Sequence, residues 1–246
     1  MNDRPTVGLV HGAWHGAWCW DRLVPELEAL GLRWVAVDLP AEDPDAGAAE
    51  WAERVSEALG TASDPAGGVV VVGHSLGGLT IPIVASLRPV RLLVFLCAFL
   101  PQPGRSMSEQ IRDGGVFAPG WSNLARLQTG HPDGSSEWPA EAAIEAFYHD
   151  CPPDDAGWAA SRLRRQTWKV LDETTPLQAW PSAASVSILC RDDRVLSPDW
   201  SRRVAVERLG RPALELDGGH SPFLSRPDEL ARVLAALVRP DEPSGL

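Results

Sequence analysis

The chain is poor in the features that mark membrane, nucleic-acid or disulfide-built proteins. No apolar run in its 246 residues approaches the ~18 continuous residues that a membrane-spanning helix needs. Met1 to Thr6 is polar and leads into a short apolar stretch without the core and cleavage site of a signal peptide, so a cytoplasmic location is expected. Lysine occurs once, as Lys169, and arginine supplies the rest of the positive charge. The 33 acidic residues outnumber the 22 basic ones, and a formal charge of -11 repels phosphate backbones and anionic lipid. No nucleic acid and no membrane partner is expected; a small neutral ligand fits better. The four cysteines, Cys19, Cys97, Cys151 and Cys190, form no CxxC pair, and are read as free, buried and inert thiols. No internal repeat is visible.

What is present is an alternation of short apolar runs with longer segments of helical period, the pattern of a parallel sheet covered on both faces. Strands are expected at 6–10, 33–37, 68–73, 91–97, 185–190 and 212–216. Helices are expected at 18–30, 48–60, 76–87, 199–209 and 227–238, where apolar residues recur at three- and four-residue spacing. Between Pro101 and Ser182 the alternation gives way to prolines, glycines and tryptophans. The expectation is one α/β domain: a core of 1–104 and 183–246, and a small cap insertion, 105–182, with helices at 141–149 and 156–171. The tail Pro240 to Leu246 is expected to fray.

Gly73-His-Ser75-Leu-Gly77 follows a valine run and opens a helical segment, the context that the G-x-S-x-G nucleophile turn requires. A plain sharp turn also uses glycine and serine, but it does not need a strand before it and a helix after it. The amide of Leu76 is the natural first oxyanion donor at that helix start, and Ala13, after the strand ending in His11-Gly12, can offer the second. His11 and His15 are read as residues that hold the front loop by hydrogen bonds. A base must follow the last strand, and His220, after Gly218-Gly219, is the histidine there. The acid belongs after the strand before it, where Asp192 and Asp193 are adjacent. Asp193 is preferred, because Asp192 beside Arg191 suits a solvated ion pair.

The front segment His11-Gly-Ala-Trp-His-Gly-Ala-Trp-Cys-Trp20, the Gly-His-Ser-Leu-Gly-Gly turn and His220-Ser-Pro-Phe-Leu-Ser-Arg-Pro227 resemble the plant methylesterase and hydroxynitrile lyase family and its bacterial esterase relatives. Phe95 to Pro101 is similar too, and the likeness runs from about Val7 to Val238. The resemblance implies an α/β-hydrolase fold with a mostly parallel sheet, and a triad of Ser75, His220 and Asp193 with oxyanion donors at Ala13 and Leu76. It also implies that lyases of the family carry a hydroxylated residue where Gly12 stands and a lysine directly after the histidine, where this chain has Ser221. Serine carries no charge at neutral pH, which favours the esterase branch.

The expected activity is therefore hydrolysis of a small methyl or aryl ester, or a lactone, through an acyl-enzyme, without metal or organic cofactor. Rival readings use the same triad for lyase or carbon–carbon bond chemistry, or make the scaffold a ligand receptor. Gly12, Ser221 and the aromatic residues Trp121, Phe147 and Trp158 are candidates for contact with an apolar or aromatic substrate. Aromatics of an insertion this small more often form its own core.

Overall fold

A computed structural model describes residues 5–60 and 68–239. Six strands make one parallel sheet: β1 (Thr6–Val10), β2 (Arg33–Val37), β3 (Val69–His74), β4 (Leu92–Leu96), β5 (Ala184–Cys190) and β6 (Leu214–Leu216). Their order across the sheet is β2-β1-β3-β4-β5-β6. All six expected strands are present, with ends within two residues of those read from the apolar runs. β1, β3 and β4 are buried along their whole length, since helices pack on the sheet and inner parallel strands have no solvent face. β2 and β6, at the two edges, expose part of their length.

The helix Ala48–Leu59 turns Trp51, Ala52, Val55 and Leu59 inward, and Pro227–Val238 does the same with Leu230, Ala231, Leu234 and Val238. Those spacings of three and four place each set on one helical stripe. Two expected helices are each broken in two. The 18–30 segment forms a 3-10 turn, Ala17–Trp20, and a helix, Val24–Ala29, while 76–87 forms a 3-10 turn, Ser75–Leu79, and a helix, Ile81–Leu87. Pro25 and Pro82 explain both breaks: proline lacks the N–H that a helix interior uses, so each begins a new helix in its first turn.

β4 and β5 are neighbours, and the chain joining them leaves the sheet. It contains the helices Met107–Arg112, Trp121–Ala125, Ala140–Phe147, Pro153–Ala160 and Lys169–Asp172. The single helix expected over 156–171 is thus interrupted. There the backbone pairs with other segments instead: the amides of Arg164, Gln166 and Thr167 donate to the carbonyls of Trp14, Ser136 and Ala41 at 2.9, 3.0 and 2.9 Å. All four cysteines are free; Cys19, Cys97 and Cys190 are buried as expected, whereas Cys151 is only partly so. The tail expected to fray lies outside the described residues.

Each candidate triad residue, and the oxyanion candidate Ala13, follows the carboxyl end of a strand. Ala13 comes after β1, Ser75 after β3, Asp193 after β5 and His220 after β6. Because the strands are parallel and in register, Val10 with Gly73, His74 with Leu96, Cys190 with Leu216, those ends lie along one edge of the sheet.

Candidate active site

Ser75 has φ of 51°, in the left-handed region that a residue with a side chain seldom occupies. The turn is held because its neighbours leave no alternative. A Cβ on Gly77 would lie 2.7 Å from the carbonyl oxygen of His11, and one on Gly12 would lie 2.7 Å from the Cβ of Ser75. The amide of Phe99 donates to the carbonyl of Ser75 at 3.1 Å. Both glycines therefore let the front loop and the serine turn pack directly against each other.

His220 and Asp193 form a buried pair, Nδ1 to Oδ2 at 2.8 Å, with side chains 1% and 4% exposed. The other carboxylate oxygen accepts from the amides of Val195 and Leu196 at 2.7 and 3.0 Å, a turn that fixes the direction of the acid. With its Nδ1 proton directed at a carboxylate, His220 presents Nε2 as the bare nitrogen. Asp192 is exposed, on the outer surface.

Three other buried imidazoles surround this pair. His74 lies with its ring centroid 4.7 Å from that of His220, and its Nε2–H donates to the His220 carbonyl at 2.9 Å. His15 donates from Nδ1 to the Ala13 carbonyl at 2.7 Å, and its Nε2 accepts from the Tyr148 hydroxyl at 2.8 Å. His11 donates from Nδ1 to the Gly12 carbonyl at 2.9 Å, and its Nε2 accepts from the amide of Leu39 at 3.0 Å. Burial holds all three neutral: it lowers His11 to about 4, His15 to about 3 and His74 well below the ordinary value.

A cavity of about 260 Å³ opens above Ser75, its lining largely aromatic and aliphatic. Trp14, Phe99, Phe117, Trp121 and Trp168 line it, and Ala13 and Leu76 lie on it beside Ser75. Neither the Ala13 nor the Leu76 amide takes part in the turn and loop hydrogen bonds among the described residues. Among those residues, too, no group of three or more His, Cys, Asp or Glu could hold a metal ion, and no helix is long and apolar enough to cross a membrane.

The sequence profile of the Alpha/beta hydrolase family matches residues 9–233, most of the chain. The chain belongs to that family. Among related alpha/beta hydrolases, Methylesterase 3 of Arabidopsis thaliana is 28% identical, the alignment covering 94% of this chain and 95% of the relative. Alpha-hydroxynitrile lyase of the same plant is 29% identical over 94% of this chain and 95% of its own. Among solved structures, a pyrethroid hydrolase from Sphingobium faniae JZ-2 superposes with a TM-score of 0.79 at 25% identity, covering 98% of this chain and 99% of the other.

Within this alpha/beta hydrolase, the substrate-contact candidates separate. Trp121 lines the cavity. Phe147 lies outside the lining, buried between Trp14 and Trp138 with ring centroids 5.6 and 5.0 Å away. Trp158 also lies outside the lining, edge-on to Trp18 at 5.4 Å and beneath the Arg162 guanidinium at 4.8 Å. Gly12 sits under Ser75, and Ser221 is fully buried with a hydroxyl that has no hydrogen-bond partner among the described residues. The sequence reading missed Trp14, Phe99, Phe117, Gln128, Leu171, Asp172 and Val195 on the wall, which no motif marks as substrate contacts. It also missed Asp150, whose Oδ2 accepts from the amide of Gly219 at 2.8 Å. The adjacent glycines were a usable signal: a Cβ on Gly219 would lie 2.7 Å from Asp150 Oδ1, and one on Gly218 would lie 2.6 Å from Oδ2.

Proposed function

We propose that the chain is a serine hydrolase of neutral carboxylic esters, with 105–182 as the cap over its acyl site. Ser75 is the nucleophile, His220 the general base and Asp193 the acid that orients it. The observation that carries this reading is the buried 2.8 Å Asp193–His220 pair set beside a strained serine turn that floors an apolar cavity. His220 Nε2 takes the Ser75 proton, Oγ adds to the ester carbonyl, and the amides of Ala13 and Leu76 stabilise the oxyanion. His220 then gives that proton to the departing alkoxide. Water, deprotonated by the same imidazole, frees the acid and restores Ser75. None of these steps calls on a metal or organic cofactor, and the relatedness to Methylesterase 3 agrees with an ester substrate.

Cyanohydrin cleavage, which the name of the Arabidopsis lyase evokes, is less well served. Ser221 is fully buried and uncharged, so it offers no cation to a departing anion.

The test is turnover of 4-nitrophenyl acetate and small aryl methyl esters. Ser75→Ala should abolish it, and retained turnover in a folded variant overturns the mechanism. Asp193→Asn should cost about 10⁴-fold in kcat by stabilising the wrong imidazole tautomer, while Asp192→Asn stays near the parent.

A further inference from the structure

The cavity wall is apolar except at Ser75, Gln128 and Asp172. Asp172 is exposed and already accepts from the Ser108 hydroxyl. Gln128 is different, because a directional chain of hydrogen bonds sets its amide. The Trp14 indole N–H can only donate, and it is shared between the Ser136 carbonyl and Ser136 Oγ, each at 3.2 Å. The Ser136 hydroxyl in turn donates to Gln128 Oε1 at 2.8 Å. Flipping the amide would leave the buried Ser136 proton without an acceptor, so the carbonyl oxygen faces Ser136 and the NH₂ group faces away. No hydrogen-bond partner takes that NH₂ group among the described residues.

We propose that Gln128 is a specificity-determining residue whose amide N–H reads a hydrogen-bond acceptor on the acyl group of a neutral aromatic ester. The inference rests on the ester-hydrolase reading above and adds to it the chemistry of the acyl portion. An apolar cavity of about 150 Å³ holds a benzene molecule. The roughly 260 Å³ here takes one ring and a substituent of a few heavy atoms. Ser75 floors the cavity from the sheet and Gln128 reaches it from the β4–β5 connection. The ester thus meets the core and the acceptor meets the connection. An acyl group without an acceptor would cover the Gln128 N–H groups and leave them unpaired, which is how a polar wall residue rejects a ligand of the right shape.

Methyl 4-acetylbenzoate and methyl 4-isopropylbenzoate, with their 3-substituted isomers, form the matched test, since the two substituents share a shape and only acetyl has an acceptor. Binding is read in Ser75→Ala from the fluorescence of Trp14, Trp121 and Trp168, which line the cavity. Turnover is read as the ratio of kcat/KM in the parent against the same ratio in Gln128→Leu, because the electron-withdrawing acetyl group speeds attack on the ester in both alike. In at least one isomer series the acetyl ester should bind about three- to tenfold better, the size of a neutral hydrogen bond, and Gln128→Leu in the same background should erase or reverse that preference. A binding preference that survives Gln128→Leu, or no acetyl preference in binding in either series, overturns the assignment. Should Gln128→Leu fail to fold, Gln128→Glu, which keeps the Ser136 contact but removes both donors, must lose the preference instead. Acetyl-selective binding without hydrolysis of any ester would uphold Gln128 and refute the ester-hydrolase reading alone.

Discussion

The imidazoles of His11, His15 and His74 are buried and neutral, and each spends its one N–H on a carbonyl of the loops around Ser75 and His220. Their chemistry is structural, and it makes the fold sensitive to acid. In the unfolded chain these histidines take up protons as pH falls through their ordinary value of 6.5; folded, His11 resists until about 4 and His15 until about 3. The unfolded state therefore binds more protons throughout that window, and stability falls as pH falls. Above the ordinary value both states are neutral and nothing is lost. Each buried imidazole contributes a slope of about 1.4 kcal/mol per pH unit within its window. Urea unfolding should show a midpoint that is flat from pH 8 to 7 and drops steeply between pH 6 and 4.5. A midpoint that stays level down to pH 5 would mean that the three rings can be protonated in the folded state.

At the scale of elements, the loop after β6 is held from two sides. Asp150, from the β4–β5 connection, accepts the amide of Gly219, and His74, from the end of β3, donates to the carbonyl of His220. Removing Asp150 should leave that amide unpaired and let His220 drift from the serine. Asp150→Ala should lower kcat about 10²-fold, the cost of misplacing a reacting group by roughly 1 Å, with a smaller change in KM. Asp150→Asn keeps an acceptor oxygen and should recover most of the rate. Equal losses in the two variants would point to charge instead of position. This clamp shows where sequence reading stops. The strands were legible because valine and leucine runs record local burial, and Ser75 because its turn demands glycines at fixed offsets. Asp150 lies 69 positions from Gly219, and the paired glycines mark a close approach there without naming the residue that makes it. The break at 161–168 was hidden for the same reason, since Trp14, Ala41 and Ser136 supply the partners of that stretch from distant parts of the chain.

For the molecule as a whole, a charge of -11 bears on what enters and leaves the cavity. The proposed substrate is neutral and feels little of that field, but its acyl product is a carboxylate, released beside the exposed carboxylate of Asp172 on the cavity wall. Like charges near a protein surface repel by about 1–2 kcal/mol at separations of roughly 8–16 Å. Salt screens this, because the Debye length shrinks from about 30 Å at 0.01 M to about 10 Å at 0.1 M. Product inhibition should therefore be weak at low ionic strength and tighten several-fold as salt rises, while KM for the neutral ester hardly moves. Asp172→Asn should tighten product binding about five- to thirtyfold at low salt and weaken its salt dependence, since a repelling charge on the cavity wall is gone. Inhibition constants for the aryl carboxylate between 10 and ~300 mM salt, measured for parent and variant, decide it. If the constant weakens with salt, a cation holds the product, and the net charge of the molecule does not govern its release.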